Sequence, residues 1–195
     1  MKESAADGKP ILTFKDKKAW TKWLERNHAA SSGVWLRLAK KGAGLSSVSR
    51  ADSLDVALCF GWIDGQALSE GDETWLLKYT PRTKRSIWSK RNREHVARLV
   101  ESGEMRPAGH AEVERAKVDG RWDSAYDGPK TISVPDDLAK ALGRNKKARS
   151  FFESLDSRNR FAILFRIHQA KRAETRERRI GQFVEMLERN EKLHN

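Results

Sequence analysis

The feature that most constrains the fold is a segment patterned as a β-hairpin. Residues 62–68 and 74–79 contain aromatic and large apolar side chains, and the turn between them includes Ser69-Glu70-Gly71-Asp72. Two such runs joined by a short polar turn with a glycine predict a pair of antiparallel strands. Residues 34–39 alternate, with Val34, Leu36 and Leu38 on one face, which predicts a further strand. The chain is therefore expected to build a small sheet.

Helical signals flank the hairpin on both sides. Asp16 suits the position before one helix, and either Ser49 or Asp52 the position before another, because such side chains accept hydrogen bonds from the first turn. Pro107 fits the first position of another helix. Near the C-terminus, apolar residues recur at helical spacing over 161–168 and 180–187. The predicted fold class is α+β: a small antiparallel sheet with helices, followed by an α-helical C-terminal part.

The predicted organisation has three parts. Residues 10–90 are expected to form an α+β domain, residues 91–134 a helical connector and residues 135–195 a helical module. With 195 residues, the chain is long enough for one full domain or two small ones. The sequence leaves the oligomeric state open.

The net charge of +12 is concentrated in two segments. Lys and Arg exceed Asp and Glu by five in residues 81–95 and by eight in residues 144–180. Such clusters suit a nucleic-acid partner, although exposed helix faces carry similar charge without any ligand. The residues that would contact nucleic acid are Lys84, Lys90, Arg91, Arg144, Lys146, Lys147 and Arg149.

A candidate ligand site lies in two polar segments around the hairpin. Asp64 and Gln66 are two residues apart, so a regular strand would place them on one face. Arg82 or Arg85 is expected within ion-pair reach of Asp64, because a partly buried carboxylate needs a partner. Arginine and tryptophan side chains suit an anion or small metabolite, although Trp88 is equally suited to anchor a core. The predicted set is Trp62, Asp64, Gln66, Arg82, Arg85, Trp88, Ser89 and Asn92.

The sequence favours binding over catalysis. Cys59 is the only cysteine, so an internal disulfide and a CxxC metal site are excluded, and its apolar neighbours predict a buried thiol. The histidines lack metal-ligand spacing. Ser86 and Ser89 lie near His95 in the chain, but no acid that would orient His95 is evident. We therefore assign no catalytic residue, no metal and no cofactor.

The chain has no apolar run of about 18 residues, the length that a membrane-spanning helix needs. The polar N-terminal residues also lack the apolar core of a signal peptide. We therefore expect a soluble cytoplasmic protein without a membrane span.

Four ordered motifs resemble the YdeI/OmpD-associated (OmdA-type) family. They are Phe60-Gly61-Trp62-Ile63-Asp64-Gly65, Arg85-Ser86-Ile87-Trp88-Ser89-Lys90 with Asn92, Met105-Arg106-Pro107-Ala108-Gly109 and Asp119-Gly120-Arg121-Trp122. The helices from about Pro135 resemble the module that carries the family's bacteriocin-protection label. The N-terminal part is similar to the YjbR/CyaY-like, or frataxin-like, α+β fold. Arg50 departs from the pattern, because many relatives have an aromatic residue there.

The resemblance implies a link to bacteriocin or stress tolerance and supplies no catalytic residue. It does not imply frataxin-like iron binding, which uses an acidic ridge, because residues 1–80 carry a small excess of positive charge. The first hypothesis is thus a cytoplasmic binding protein for an anion or small metabolite. The alternatives are a nucleic-acid-binding protein that uses residues 81–95 and 144–180, and an enzyme with an unidentified reaction.

Overall fold

The computed structural model describes residue 5 and residues 7–194, which fall into two compact units. Unit 1 contains the chain up to Trp88 together with Asn92–Ser124. Unit 2 contains Ser89–Arg91 together with the chain from Ala125 onward. The three-part division of the sequence analysis stays a prediction.

Unit 1 combines a mixed sheet with helices, and unit 2 adds further helices, which confirms the α+β fold class. The elements of unit 1 are β1 (Ile11–Leu12), α1 (Lys17–Asn27), β2 (Val34–Ala39), α2 (Arg50–Cys59), β3 (Trp62–Glu70), β4 (Thr74–Pro81), α3 (Lys90–Glu101) and α4 (Pro107–Val118). The first two residues of α3 belong to unit 2.

The predicted hairpin is confirmed as β3 and β4. The strand order is β1-β2-β4-β3, in which β2, β4 and β3 are antiparallel neighbours. The two-residue β1 pairs parallel to β2 and makes the sheet mixed. Between Asp64 and Ala67 the register of β3 shifts by one residue relative to β4. A bulge of this kind interrupts the two-residue alternation of side chains.

Aromatic side chains fill the core of unit 1 and hydrogen-bond at their polar ends. Trp20, Trp62 and Tyr79 are almost fully buried. Trp20 donates its indole N–H to the Ser53 carbonyl at 3.1 Å, and the Tyr79 hydroxyl lies 2.8 Å from Ser53 Oγ. Trp62 donates to the His28 carbonyl at 3.1 Å. These bonds satisfy groups that would otherwise be costly to bury.

Helix α4 approaches the end of α2 more closely than a side chain would allow. A Cβ atom added to Gly109 would collide with the carbonyl oxygen of Cys59. At the end of α2, Gly61 has a φ of +72°, and a Cβ there would lie 2.7 Å from Glu112 Cγ. Two motifs that carry the family resemblance therefore contain glycines required by one close helix contact.

Unit 2 is a helical assembly of α5 (Asp136–Arg144), α6 (Lys146–Ser154), α7 (Ser157–His168) and α8 (Ala173–Glu188). Its core is aliphatic and aromatic. The central residues are Leu138, Leu142, Ala148, Phe152, Ile163, Leu164, Ile167, Ile180, Phe183 and Leu187. Helix α6 was not predicted from the sequence. On α7 the buried face contains Ile163 and Ile167, whereas His168 is exposed.

The predicted helix starts are confirmed. Asp16 accepts a hydrogen bond from the Ala19 N–H at 2.7 Å, Ser49 accepts one from Asp52 at 3.0 Å, and Pro107 occupies the first turn of α4. None of the helices in the described part of the chain is long and apolar enough to cross a membrane.

Candidate functional site

The structure places Asp64 beside Arg50. Arg50 Nη2 and Asp64 Oδ2 are 4.0 Å apart, and the Arg50 side chain is 66% exposed. Arg85 lies on an exposed loop and forms no ion pair with Asp64 among the described residues, so its predicted pairing is wrong. Arg82 is buried, and its predicted pairing with Asp64 stays a prediction.

Gln66 does not form a regular strand face with Asp64. The bulge lies between Asp64 and Ala67, so the alternation on which that prediction rested is interrupted. Gln66 is exposed, as are its neighbours Gly65 and Ala67. Trp62, at the start of the same strand, is 1% exposed and belongs to the aromatic core.

Trp88 is a buried anchor whose ring is already covered. The Arg82 guanidinium carbon lies 3.5 Å from the centroid of the Trp88 ring, within cation–π distance. Trp122 meets the same ring edge-on at a centroid distance of 4.9 Å. Trp88 is 2% exposed and Arg82 is 5% exposed. A ligand would have to displace this packing before it could stack on the indole.

Arg121 holds the loop that leads to Trp88. Its guanidinium donates to the Ser86 carbonyl at 2.8 Å and to the Thr83 carbonyl at 3.4 Å. Asp119 accepts three hydrogen bonds from the same guanidinium at 2.7–2.8 Å. These bonds lower the pKa of Asp119. The Asp119-Gly120-Arg121-Trp122 motif therefore holds the loop before Trp88 in place, which is a structural role within unit 1.

The last two members of the predicted set are buried. Ser89 and Asn92 are 8% and 9% exposed, and both have partners in the structure. Five of the eight predicted site residues are thus buried, namely Trp62, Arg82, Trp88, Ser89 and Asn92.

Sequence reasoning missed a polar cluster around Asp55. This carboxylate is 8% exposed and accepts hydrogen bonds from His95 Nδ1 at 2.7 Å and from Arg98 Nη2 at 2.6 Å. Burial acts to raise the pKa of Asp55, but the hydrogen bonds from His95 and Arg98 outweigh it and leave the pKa below its usual value. Asp55 is the acid for His95 that the sequence did not reveal, because 40 residues separate the two.

A small crevice lies near this cluster. Lys17 and Glu104 form an ion pair of 2.5 Å at its edge, and Cys59 lines its wall. The crevice has a volume of about 190 Å³. Burial raises the pKa of the Cys59 thiol to about 11, so the group is protonated at neutral pH. The predicted burial of Cys59 is confirmed, and a protonated thiol is a poor nucleophile.

Metal ligands are not assembled in the described part of the chain. No group of three or more His, Cys, Asp or Glu side chains there is placed to hold an ion. The Asp55–His95 pair has the geometry of a base with its orienting acid. Ser86, which lies near His95 in sequence, accepts a hydrogen bond from the Thr83 N–H at 2.9 Å.

A larger groove lies on α7 in unit 2. Its volume is about 610 Å³, within the range of about 300–1,000 Å³ of small-molecule sites. Phe161 and Phe165 stack at 5.5 Å, and Tyr126 meets Phe165 edge-on at 4.8 Å. The residues that line the groove are Pro129, Ser157, Arg158, Phe161, Ala162, Phe165, Arg166 and His194. The groove thus combines an aromatic floor with two arginines.

Asn159 holds the end of the described chain against α7. Its side-chain amide donates to the His194 carbonyl at 3.0 Å and accepts from the N–H groups of Leu193 and His194 at 3.1 and 2.9 Å. Asp156 caps α7 by accepting from the Asn159 N–H at 2.7 Å and also accepts from its amide. Asn159 is 1% exposed. This network is what positions His194 at the groove.

The two arginines of the groove have no acidic partner among residues 7–194. Both are exposed, and Arg166 Nη1 only approaches the Ala162 carbonyl, at 3.4 Å. An arginine that keeps its donors available beside an apolar surface can bind a carboxylate or phosphate. The composition of residues 144–180 indicated excess positive charge, but it could not indicate which arginines share a groove.

The predicted nucleic-acid residues differ in how far their charge is neutralised. Lys90 pairs with Asp127 at 2.8 Å, and Arg149 pairs with Glu153 at 2.9 Å. Lys84 and Arg91 are exposed. Arg144, Lys146 and Lys147 are exposed where α5 meets α6, and no ion pair to them is formed by the residues that the structure describes.

Two parts of the chain match known families. Residues 12–112 match a family described as Domain of unknown function (DUF8412). Residues 131–190 match a family described as Bacteriocin-protection, YdeI or OmpD-Associated (OmdA). The second match supports the resemblance drawn from the sequence motifs, whereas the first gives no support to a YjbR/CyaY-like fold. Neither a curated protein nor a solved structure shows a significant match.

Proposed function

We propose that this chain, which belongs to the DUF8412 family through residues 12–112, is a binding protein for an organic anion. The ligand would occupy the α7 groove with its apolar part on Phe161 and Phe165 and its anionic group on Arg158 or Arg166. This retains the hypothesis of an anion or small-metabolite binder and moves the site from the hairpin region to unit 2.

The observation that carries the proposal is the combination of aromatic and cationic surface in one cavity. Phe161 and Phe165 are only partly buried, so their rings remain accessible. Burial of apolar surface contributes roughly 25 cal/mol per Å². An arginine beside such a surface adds charge-assisted hydrogen bonds. A ligand with an apolar part and an anionic group therefore gains binding free energy from apolar burial and from hydrogen bonds to arginine.

Isothermal titration calorimetry tests whether a ligand needs both an apolar ring and an anionic group. Phenyl phosphate should bind more tightly than inorganic phosphate, which lacks the ring, and than benzyl alcohol, which lacks the charge. Of the variants Arg158→Gln and Arg166→Gln, at least one should weaken phenyl phosphate binding about tenfold, the effect of losing one charged hydrogen bond. Arg178→Gln is the matched control, because Arg178 is an exposed arginine on α8 outside the groove. Equal binding of phenyl phosphate and inorganic phosphate would contradict the proposal.

The match of residues 131–190 lets us connect this site to bacteriocin tolerance. We propose that ligand binding in the groove, in the cytoplasm, supports that tolerance. Cells that produce the wild-type chain should then survive a bacteriocin better than cells that produce, at the same level, whichever of Arg158→Gln and Arg166→Gln weakens phenyl phosphate binding. Equal survival of the two strains would show that ligand binding in the groove does not support bacteriocin tolerance.

Nucleic-acid binding is the second candidate, favoured by the exposed Arg144, Lys146 and Lys147. Cations that contact phosphates release counterions, so the logarithm of affinity should fall with the logarithm of salt by about 0.9 per duplex phosphate. Binding to random duplex and single-stranded DNA should be measured from low to physiological salt. Absence of binding at low salt removes this candidate, and a triple substitution of the three cations to Gln should abolish any binding that is seen.

A further inference from the structure

We infer that the α7 groove selects an organic dianion, with one anionic group at each end of an apolar body. The inference rests on the proposed function, because it concerns the ligand class of the same groove. The observation behind it is the order of groove residues along α7. Arg158 and Arg166 lie at the two ends, and Phe161, Ala162 and Phe165 lie between them.

Helix geometry sets the distance between the two cations. Eight residues at about 1.5 Å each separate Arg158 and Arg166 by about 12 Å along the helix axis. Arg166 Nη1 lies 3.4 Å from the carbonyl of Ala162, one turn closer to Arg158. The two side chains therefore start from positions about 12 Å apart along the axis, and Arg166 extends back toward Arg158. A single carboxylate does not span that distance, whereas the two carboxylates of a medium-length diacid do.

The space between the arginines is suited to the body of such a ligand. Phe161 and Phe165 stack at 5.5 Å and present a continuous apolar surface. Tyr126 packs against the edge of Phe165 and fixes the orientation of that ring. A charged or strongly hydrated body would lose solvation on this surface without recovering hydrogen bonds. The central part of the ligand is therefore hydrocarbon.

The charges around the groove agree with an anionic ligand at both ends. Asp156 precedes α7 on the Arg158 side, but its oxygens accept hydrogen bonds from Asn159. At the other end, the Arg166 carbonyl accepts from Arg179 Nη1 at 2.5 Å, which brings a third guanidinium close. No carboxylate of the described residues pairs with Arg158 or Arg166. A ligand with an anionic group at each end can therefore pair with both arginines.

The test compares straight-chain dicarboxylates, from succinate to dodecanedioate, with monocarboxylates of the same length by isothermal titration calorimetry. We expect a maximum of affinity at intermediate length, where the diacid binds about tenfold more tightly than its matched monoacid. Arg158→Gln and Arg166→Gln should each reduce the diacid to the affinity of the monoacid. Arg178→Gln should leave the ratio unchanged.

The outcomes separate this inference from the proposed function. If diacids and monoacids of equal length bind equally, the selection of dianions is wrong, while the groove remains an anion site. If Arg178→Gln lowers diacid affinity as much as Arg158→Gln does, the effect is a general attraction by net charge and the inference is overturned. If no carboxylate and no phenyl phosphate binds, both proposals fail. Circular dichroism of each variant confirms that the helices are retained.

Discussion

Asp55 and His95 lie 40 residues apart in the chain and are joined by a hydrogen bond of 2.7 Å between Asp55 Oδ1 and His95 Nδ1. Arg98, one turn further along α3, donates to the other carboxylate oxygen at 2.6 Å. A carboxylate on α2 thus accepts from two side chains of α3. Because Asp55 is nearly buried, this contact should contribute to stability and to its dependence on pH.

Replacing Asp55 by Asn should lower the free energy of unfolding at pH 7 by about 1.5–3 kcal/mol, the range for charged hydrogen bonds. The pKa of Asp55 is lowered in the folded protein. Its contribution is therefore complete above the unfolded pKa of about 3.9 and is lost as pH falls through the folded pKa. The difference between wild type and Asp55→Asn, measured by urea unfolding, should shrink at acidic pH.

Glu114→Gln is the control for this prediction, because Glu114 is an exposed carboxylate that pairs with Lys117 on the same helix. It should change stability by less than about 0.5 kcal/mol. A difference between wild type and Asp55→Asn that is the same at neutral and acidic pH would show that ionisation of Asp55 is not the cause.

Cys59 should react slowly with thiol reagents in the folded protein. The thiol is 5% exposed, and burial raises its pKa to about 11. At pH 7 the reactive thiolate is therefore scarce and shielded. Labelling of the native protein should be much slower than labelling in denaturant, as followed by mass spectrometry. Similar rates in the two states would show that the helix end opens readily.

Gly109→Ala should destabilise unit 1 by about 1–3 kcal/mol, because the added methyl group collides with the Cys59 carbonyl. Gly181 offers a matched control on α8, where a Cβ would meet no atom within 4 Å. Gly181→Ala should stabilise by about 0.4–1 kcal/mol, since alanine is the better helix residue. Thermal unfolding of both variants measures these opposite changes in stability. Equal effects would exclude close packing as the reason for Gly109.

Asn159→Ala should release the segment at Leu193 and His194 from α7. The substitution removes the acceptor for two backbone N–H groups and the donor to the His194 carbonyl. We expect a loss of about 1–3 kcal/mol and faster hydrogen exchange at these two amides. Phenyl phosphate should also bind more weakly, since His194 lines the groove. Unchanged exchange at both amides would mean that Asn159 does not hold the segment.

Local signals allowed much of the fold to be predicted. Asp16 and Ser49 begin helices because their side chains accept from the first turn, an interaction confined to neighbouring residues. The hairpin followed from a turn and two flanking strands in one continuous segment. Helix α6 was missed because it is only nine residues long and its apolar residues are interrupted by cations.

The candidate site could not be predicted in the same way, because it depends on distant contacts. Arg82 and Trp88 are residue types that suit an anion site. In the structure they pack against each other, and Trp88 also packs against Trp122, so both side chains belong to the core. The groove on α7 requires Asn159 to hold His194, and that bond spans 35 residues. Side-chain type indicated the chemistry of these residues, whereas burial decided which of them can meet a ligand.

The most direct test of the central claim is a nuclear magnetic resonance titration of the labelled protein with phenyl phosphate. If the groove binds the ligand, the largest amide shifts should occur in residues 157–166 and at His194, and Arg158→Gln or Arg166→Gln should reduce them at equal ligand concentration. Arg178→Gln should reproduce the wild-type pattern. Shifts centred on residues 82–92, or shifts spread evenly over basic surface residues, would contradict the account.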